Sequence, residues 1–307
     1  MTTTNGAIRC AEWALAQEVD PCGTAGHHDI FIAVECAGPW PRDVNEIPDL
    51  CSAGELGARA RVVVVTPRRD GASGRLVTIW RRSSEIGSES PAMVGIDHLL
   101  APDTNLADEL LGVIDGTSAS ITSRDPAPRD IFICSHGRRD RCCGRMGVQL
   151  QQSTSDRWAD VRVRRSSHLG GHRFAPTAVT MPDNRWWAFL TVDVLDRIVN
   201  SDLDTALLRR HYRGTGLLDG RAQHVERHLL GINAGGVSTT FTQTEAVEHP
   251  DGRSTQIELE WAEGRGRAVA VVGVGPPAPI PKCGTQLLEP TKSEATFQLL
   301  AIDLERS

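Results

Sequence analysis

The sequence predicts an α/β fold followed by a C-terminal α+β region. Three observations carry this. Apolar strand-like runs alternate with helical patterns through residue 203, which favours a layered α/β arrangement. A Ser/Thr/Pro-rich stretch, residues 116–129, interrupts that alternation and reads as a linker. After residue 204, two helical stretches precede four strand-like segments with turn signals between them. The regions are 1–117, 118–203 and 204–307.

In the first region, D-I-F-I-A-V-E-C (29–36) reads as a buried strand. R-V-V-V-V-T (61–66) and R-L-V-T-I-W-R (75–81) follow as strands, and residues 44–58 admit one helix or two short ones. Residues 105–114 read as a helix capped by Asn105 or Asp103, since such side chains accept the unpaired N–H groups of a first turn. The second region opens on D-I-F-I again, at 130–133. Chance and an ancient duplication, in which the first copy became degenerate, are both open. A helix over 145–159, a strand over 161–165, a hairpin of 177–181 and 185–191, and a helix over 193–201 follow. This β-α-β then β-β-α order is that of a thioredoxin-like fold. The third region reads as helices over 205–212 and 221–230, then strands over 237–246, 254–262, 267–274 and 294–303. Pro-Asp-Gly at 250–252 and Glu-Gly-Arg-Gly at 263–266 are hairpin turns, so a small antiparallel sheet with helices on one side is expected.

Composition narrows the function. Hydrophobic content of 40% and charged content of 23% are ordinary for a soluble globular protein. No apolar run approaches the roughly 20 residues of a membrane helix, and residues 1–9 lack a basic segment followed by an apolar one. The expected location is therefore cytoplasmic, with no membrane contact. A net charge of −6 argues against general nucleic-acid binding. Eight irregularly spaced cysteines without a secretory signal point to metal or redox chemistry rather than to disulfides.

Four residues stand out. Cys134 and Cys143 lie in C-S-H-G-R-R-D-R-C-C-G, and His168 and His172 in S-H-L-G-G-H-R-F. Two thiolates and two imidazoles in two tight pairs suit a [2Fe–2S] cluster of mixed ligation or a zinc ion. Eight residues separate the cysteines, against the usual C-x₂₋₄-C of zinc knuckles. Gly170 and Gly171 disfavour a helix between the histidines and let backbone N–H groups approach sulfur. A [2Fe–2S] core with four thiolates is −2 when oxidised; two neutral imidazoles make it neutral. In Rieske centres that exchange accompanies potentials of about −150 to +300 mV, against about −400 mV for plant-type clusters.

His136 and Asp140 are candidates for a second shell or a proton path, with a loop salt bridge as the plainer reading. Arg138, Arg139, Arg141 and Arg173 read either as a positive collar for an acidic partner or as a solvated loop. Cys10, Cys22, Cys36, Cys51 and Cys283 read as thiols without a cluster role, and His27-His28-Asp29 as surface residues. Trp186-Trp187 reads as packing, with an exposed Trp187 open to a docking role. No C-x-x-C, G-x-G-x-x-G after a strand, or P-loop pattern occurs.

These ligand stretches, with Gly-Thr-Ala at 23–25, Gly-Pro-Trp at 38–40 and H-Y-R-G at 211–214, resemble the sucrase/ferredoxin-like family of thioredoxin-like ferredoxins. The resemblance spans about residues 20–230. It implies a [2Fe–2S] cluster held by Cys-x₈-Cys and His-x₃-His, here Cys134, Cys143, His168 and His172. Cys142 beside Cys143 departs from the family pattern; the x₈ spacing selects Cys143. The expected function is electron transfer with a redox partner protein, at a relatively high, proton-coupled potential. A structural zinc module and a reductase acting directly on a small oxidised substrate are the alternatives. With two imidazole ligands, the midpoint potential is expected to fall as pH rises and the ligand N–H groups ionise, because proton loss favours the oxidised form. Redox titration between about pH 6 and 10 checks this, and a flat potential contradicts bis-histidine ligation.

Overall fold

The computed structural model describes residues 9–50, 56, 60–68, 73–83, 92–232, 239–261, 266–281 and 292–306. They form a mixed α/β protein with a large sheet and several helices. The first half contains helix α1 (Cys10–Ala16), strands β1 (Ile30–Glu35), β2 (Ala60–Val65), β3 (Arg75–Arg82) and β4 (Met93–Leu100), helix α2 (Leu106–Asp115) and strand β5 (Ile121–Pro126). The second half contains β6 (Arg129–Cys134), α3 (Val148–Thr154), β7 (Val161–Ser166), β8 (Ala178–Met181), β9 (Arg185–Trp187), α4 (Val192–Val199), α5 (Thr205–His211) and β10 (Tyr212–Thr215).

Local chemistry accounts for the helix ends. Asn105 Oδ1 accepts from Ala107 N–H at 3.2 Å and opens α2, and Gly116 closes it in the left-handed region at φ 72°. Of the helix expected over 44–58, the described part is a 3₁₀ turn, Val44–Glu46, begun by the Asp43 carboxylate; residues 51–55 and 57–59 lie outside the described residues. The stretch 116–129 is not a free linker. It supplies β5, which pairs antiparallel with β4. The Ser/Thr/Asp side chains that suggested a linker belong to an exposed edge strand, where polar residues are the normal occupants.

The ten strands run in the order β10-β9-β8-β6-β7-β2-β1-β3-β4-β5. Each half has the same plan. β1 pairs parallel with β2 and antiparallel with β3; β6 pairs parallel with β7 and antiparallel with β8. The halves meet through one registered pair, Val65 and Ser166. In a flat sheet β1 and β6, three strands apart, would stand roughly 14 Å from each other. Yet the Phe31 and Phe132 rings are 5.0 Å apart. The sheet therefore folds at the β2–β7 seam, and the two halves pack face to face. Phe31 with Phe132 and Val65 with Ser166 are both 101 residues apart, as are the two D-I-F-I openings, the pattern of an approximate two-fold.

Alternation along β6 divides its side chains. Phe132 and Cys134 enter the core between the halves with Ala33, Val63 and Trp186. Ile131 and Ile133 join a second core under α3, α4, α5 and the C-terminal region. That region contains α6 (Gly220–Gly231) and the antiparallel strands β11 (Thr242–Glu248), β12 (Ser254–Trp261), β13 (Gly266–Ile280) and β14 (Lys292–Arg306), in sequential order. Ile257, Leu259 and Trp261 alternate inward from β12 to meet Val225 and Leu229 of α6. The turn at 263–266 lies outside the described residues, apart from Gly266.

Arg162 joins the halves electrostatically. It donates to both carboxylate oxygens of Asp130, at 2.7 and 2.8 Å, and to both of Asp97 on β4, at 2.7 and 3.0 Å. The Asp130 side chain is fully buried, while Arg162 keeps 23% exposure. Replacing Arg162 by Met leaves a buried carboxylate without its counter-charge and is expected to cost about 3 kcal/mol. Urea unfolding of Arg162→Met against the native chain measures this; a loss under about 1 kcal/mol contradicts the clamp.

Candidate metal centre

Cys134 is the last residue of β6, and its N–H donates to Thr177 at 3.0 Å. The chain then turns through a loop to Asp140, whose Oδ1 accepts from the N–H groups of Cys142 (2.8 Å) and Cys143 (3.3 Å). Asp140 so caps the helical segment that carries Cys143 and runs on into α3. That segment contains a π-helical turn over Cys143–Gly147, a wide turn frequent at functional sites. Gly147 is required there: a Cβ would stand 1.9 Å from the Cys134 carbonyl oxygen.

The second loop follows β7. Gly170 (φ 82°) and Gly171 (φ 65°) adopt left-handed backbone, so the histidines do not share a helix. His172 begins a 3₁₀ turn, His172–Phe174, and the next peptide, Ala175-Pro176, is cis. The buried Arg213 of β10 lies beneath this loop, donating to Gly170 O (3.3 Å), Thr24 Oγ1 (3.0 Å) and Thr24 O (2.6 Å). Burial pushes its guanidinium down to about 10, with Glu294 opposing.

Three of the four expected ligands converge. Donor atoms of Cys134, Cys143 and His168 lie within 4.8 Å of one another, and both cysteines are fully buried. His168 Nδ1 is 4.0 Å from Cys134 Sγ. The thiol of Cys134 is held well below the usual cysteine range by the hydrogen bond from Cys143, with His168 and the Leu169 N–H adding to it against burial. Cys143 is pushed well above that range by the same contact and by burial. Two buried sulfurs and an imidazole this close together are a donor set suited to a soft metal centre. A backbone N–H aimed at sulfur is what the glycine loop was expected to provide.

His172 stands in a neighbouring group. Its Nδ1 is 3.2 Å from Cys10 Sγ and 3.2 Å from Asp140 Oδ2. Cys10 Sγ is also 3.8 Å from Cys142 Sγ. Cys10, read from the sequence as a thiol without a cluster role, is a buried cysteine that stands beside His172. It opens α1, 162 residues before His172, and no spacing motif links the two.

Other residues sort themselves. His136 is buried, with Nε2 2.8 Å from Pro41 O and its ring edge-on to Trp40 at 5.9 Å. Arg138, Arg139 and Arg141 are exposed around the first loop, but Arg173 is not part of that collar: it is buried, pairs with Glu294 and lies 4.2 Å from the Phe174 ring. Trp187 is fully buried, which removes it as a docking residue. His28 is half-buried against Trp186 rather than on the surface, and burial pushes it down to about 4. Cys51 and Cys283 lie outside the described residues. A polar cavity of about 360 Å³ borders His168, with Arg42, Arg61, His136 and Arg139 in its wall.

The five short stretches that carried the family resemblance meet here. Thr24 of Gly-Thr-Ala and Arg213 of H-Y-R-G grip the histidine loop, and Trp40 of Gly-Pro-Trp backs His136 in the cysteine loop. No helix among the described residues is long and apolar enough to cross a membrane.

Residues 21–214 match the sucrase/ferredoxin-like family. The chain is similar to altered inheritance of mitochondria protein 32 of Candida glabrata, at 24% identity over 144 residues, covering 38% of this chain and 46% of that protein. It is similar to the Meyerozyma guilliermondii protein of the same name at 27% over 111 residues (33% and 39% covered). The Debaryomyces hansenii protein shows 29% over 94 residues (27% and 34% covered). The chain spans less than half the length of these relatives. No solved structure matches it. The family match covers most of the chain and includes both ligand loops, and this chain belongs to the sucrase/ferredoxin-like family.

Proposed function

We propose that this chain is an electron-transfer protein that holds one [2Fe–2S] cluster through Cys134, Cys143, His168 and His172. The observation that carries the reading is the convergence of Cys134, Cys143 and His168 from two loops at the ends of adjacent parallel strands. The donor chemistry fits: two buried cysteine sulfurs, an imidazole, and a second histidine one glycine turn away. When bound, the cluster would supply one-electron carriage at relatively high potential.

The residues of the chain do the rest. The Leu169 N–H and the half-buried His168 support the sulfur of Cys134. His172 keeps 27% exposure, which offers a proton-linked route to solvent. Exposed Arg138, Arg139 and Arg141 favour an acidic redox partner. We read the halves as a thioredoxin-like pair arising by duplication, supported by their common strand plan and the 101-residue offset. In that alignment Ala33 stands at the position of Cys134, so the first copy lacks that ligand. Cytoplasmic location belongs to the same reading; the relatives are named for inheritance of mitochondria.

A zinc ion on the same donors is the second reading, favoured by how compact the Cys134–Cys143–His168 group is. A cavity of about 380 Å³ between β8–β9 and residues 239–241 contains none of the four ligands, which weakens the small-substrate reductase.

Anaerobically purified protein is expected to carry iron and sulfide in equal amounts with a visible charge-transfer spectrum, lost in Cys143→Ala and kept in Cys142→Ala. A colourless zinc-loaded sample that iron–sulfur reconstitution cannot convert would exclude the cluster. Retention of the spectrum in Cys143→Ala would move the ligand to Cys142. His168→Cys and His172→Cys each add a negative charge and are expected to lower the midpoint potential by roughly 100–300 mV, read by redox titration.

A further inference from the structure

We infer that Cys10, Asp140 and His172 form a second metal-ion site, for a thiophilic divalent cation of the zinc class. Its only overlap with the proposed function is His172. The three donor atoms form a closed triangle: Cys10 Sγ to His172 Nδ1 3.2 Å, His172 Nδ1 to Asp140 Oδ2 3.2 Å, and Cys10 Sγ to Asp140 Oδ2 3.9 Å. Zinc bonded to sulfur, nitrogen and oxygen at its usual lengths sets tetrahedral edges of roughly 3.3–3.6 Å. The observed edges bracket that range. One thiol, one imidazole and one carboxylate are accepted zinc donors, and their mixture of hard and borderline-soft atoms disfavours Mg²⁺ and Ca²⁺.

Each donor is held by the fold. Cys10 is fully buried at the start of α1, whose Ala14 packs in one core with Phe174 and Phe189 beside the His172 turn. Asp140 is committed through Oδ1 to the backbone of Cys142 and Cys143, which leaves Oδ2 directed at His172. His172 is the partly exposed member and gives an ion its way in. Cys142 Sγ lies 3.8 Å from Cys10 Sγ but outside the group of three, whose donor atoms are all within 4.8 Å of one another. An ion on the second site holds His172 Nδ1 away from Cys134, Cys143 and His168, so zinc loading competes with four-ligand cluster binding.

Cobalt(II) is the probe, titrated anaerobically into metal-free, full-length Cys134→Ser protein, in which the first group has lost a ligand. The readout is thiolate-to-cobalt absorption with tetrahedral d–d bands. The expected result is binding that weakens at least about tenfold when Cys10→Ser or Asp140→Asn is added. Asp140→Asn keeps an oxygen for the helix cap, so circular dichroism and a preserved fold separate loss of a ligand from loss of structure. Equal cobalt affinity in Cys134→Ser with and without Cys10→Ser overturns the site, as does binding without a thiolate band, which would leave a plain hydrogen-bonded cluster. The outcome does not depend on whether an iron–sulfur cluster ever forms, since the measurement uses protein deprived of one cluster ligand.

Discussion

The contact between Phe31 and Phe132 governs this structure. At the seam, one registered residue pair and three hydrogen bonds, Thr66 N–H to Arg165 O, Ser167 N–H to Val64 O and Val64 N–H to Ser167 Oγ, join the halves, a narrow hinge for the sheet. Burial of the two phenylalanines and Trp186 supplies the driving force for closing it, and such aromatic pairs add specific geometry to bulk apolar burial. Arg162 then selects the closed arrangement. Its guanidinium satisfies a carboxylate from each half, so sliding one half over the other leaves Asp130 or Asp97 unpaired. Arg164 adds to this, donating to Thr78 of the opposite half at 2.9 Å.

The candidate metal centre inherits its shape from that closure. Cys134 points into the same inter-half core as Phe132 because alternate residues of β6 share a face. The second half supplies the four proposed ligands, and the first supplies walls: Pro41 and Trp40 hold His136, and Arg61 reaches the His168 carbonyl oxygen. Asp140 ties the two ligand loops by dividing its oxygens between the helix start and His172. The first half is thus not idle; it is the cover of the candidate site.

Much of this was legible in the linear chain. The strands of both halves, the capped α2 and the non-helical Gly170–Gly171 loop rest on local chemistry, so pattern and turn signals suffice for them. The Cys134–Cys143–His168 grouping was legible because the ligands sit in short motifs. What was not legible depended on tertiary contact. Cys10 reaches His172 across 162 residues, from a seven-residue helix whose sequence carries no metal pattern. Arg173 looked like its arginine neighbours, and only the distant Glu294 reveals that it is buried and paired. The 116–129 stretch has linker composition, and pairing with β4 makes it a strand. The seam at Val65 and Ser166 has no local signature at all.

Arg213 has one more implication. It reaches Thr24 near the beginning of the chain and Gly170 in the histidine loop, and it lies beyond the point where the ligand-bearing region was expected to end. A fragment cut at residue 203 would contain every proposed cluster ligand, yet it would lose β10, the bolt that fastens the histidine loop to the N-terminal segment. The structural unit that holds the histidine loop is then the whole stretch between the two ends of that bolt, not the loops alone. Engineering that transplants this candidate centre must carry both halves as one cassette, and Glu294 of the C-terminal sheet, which pairs with the buried Arg173, belongs with it.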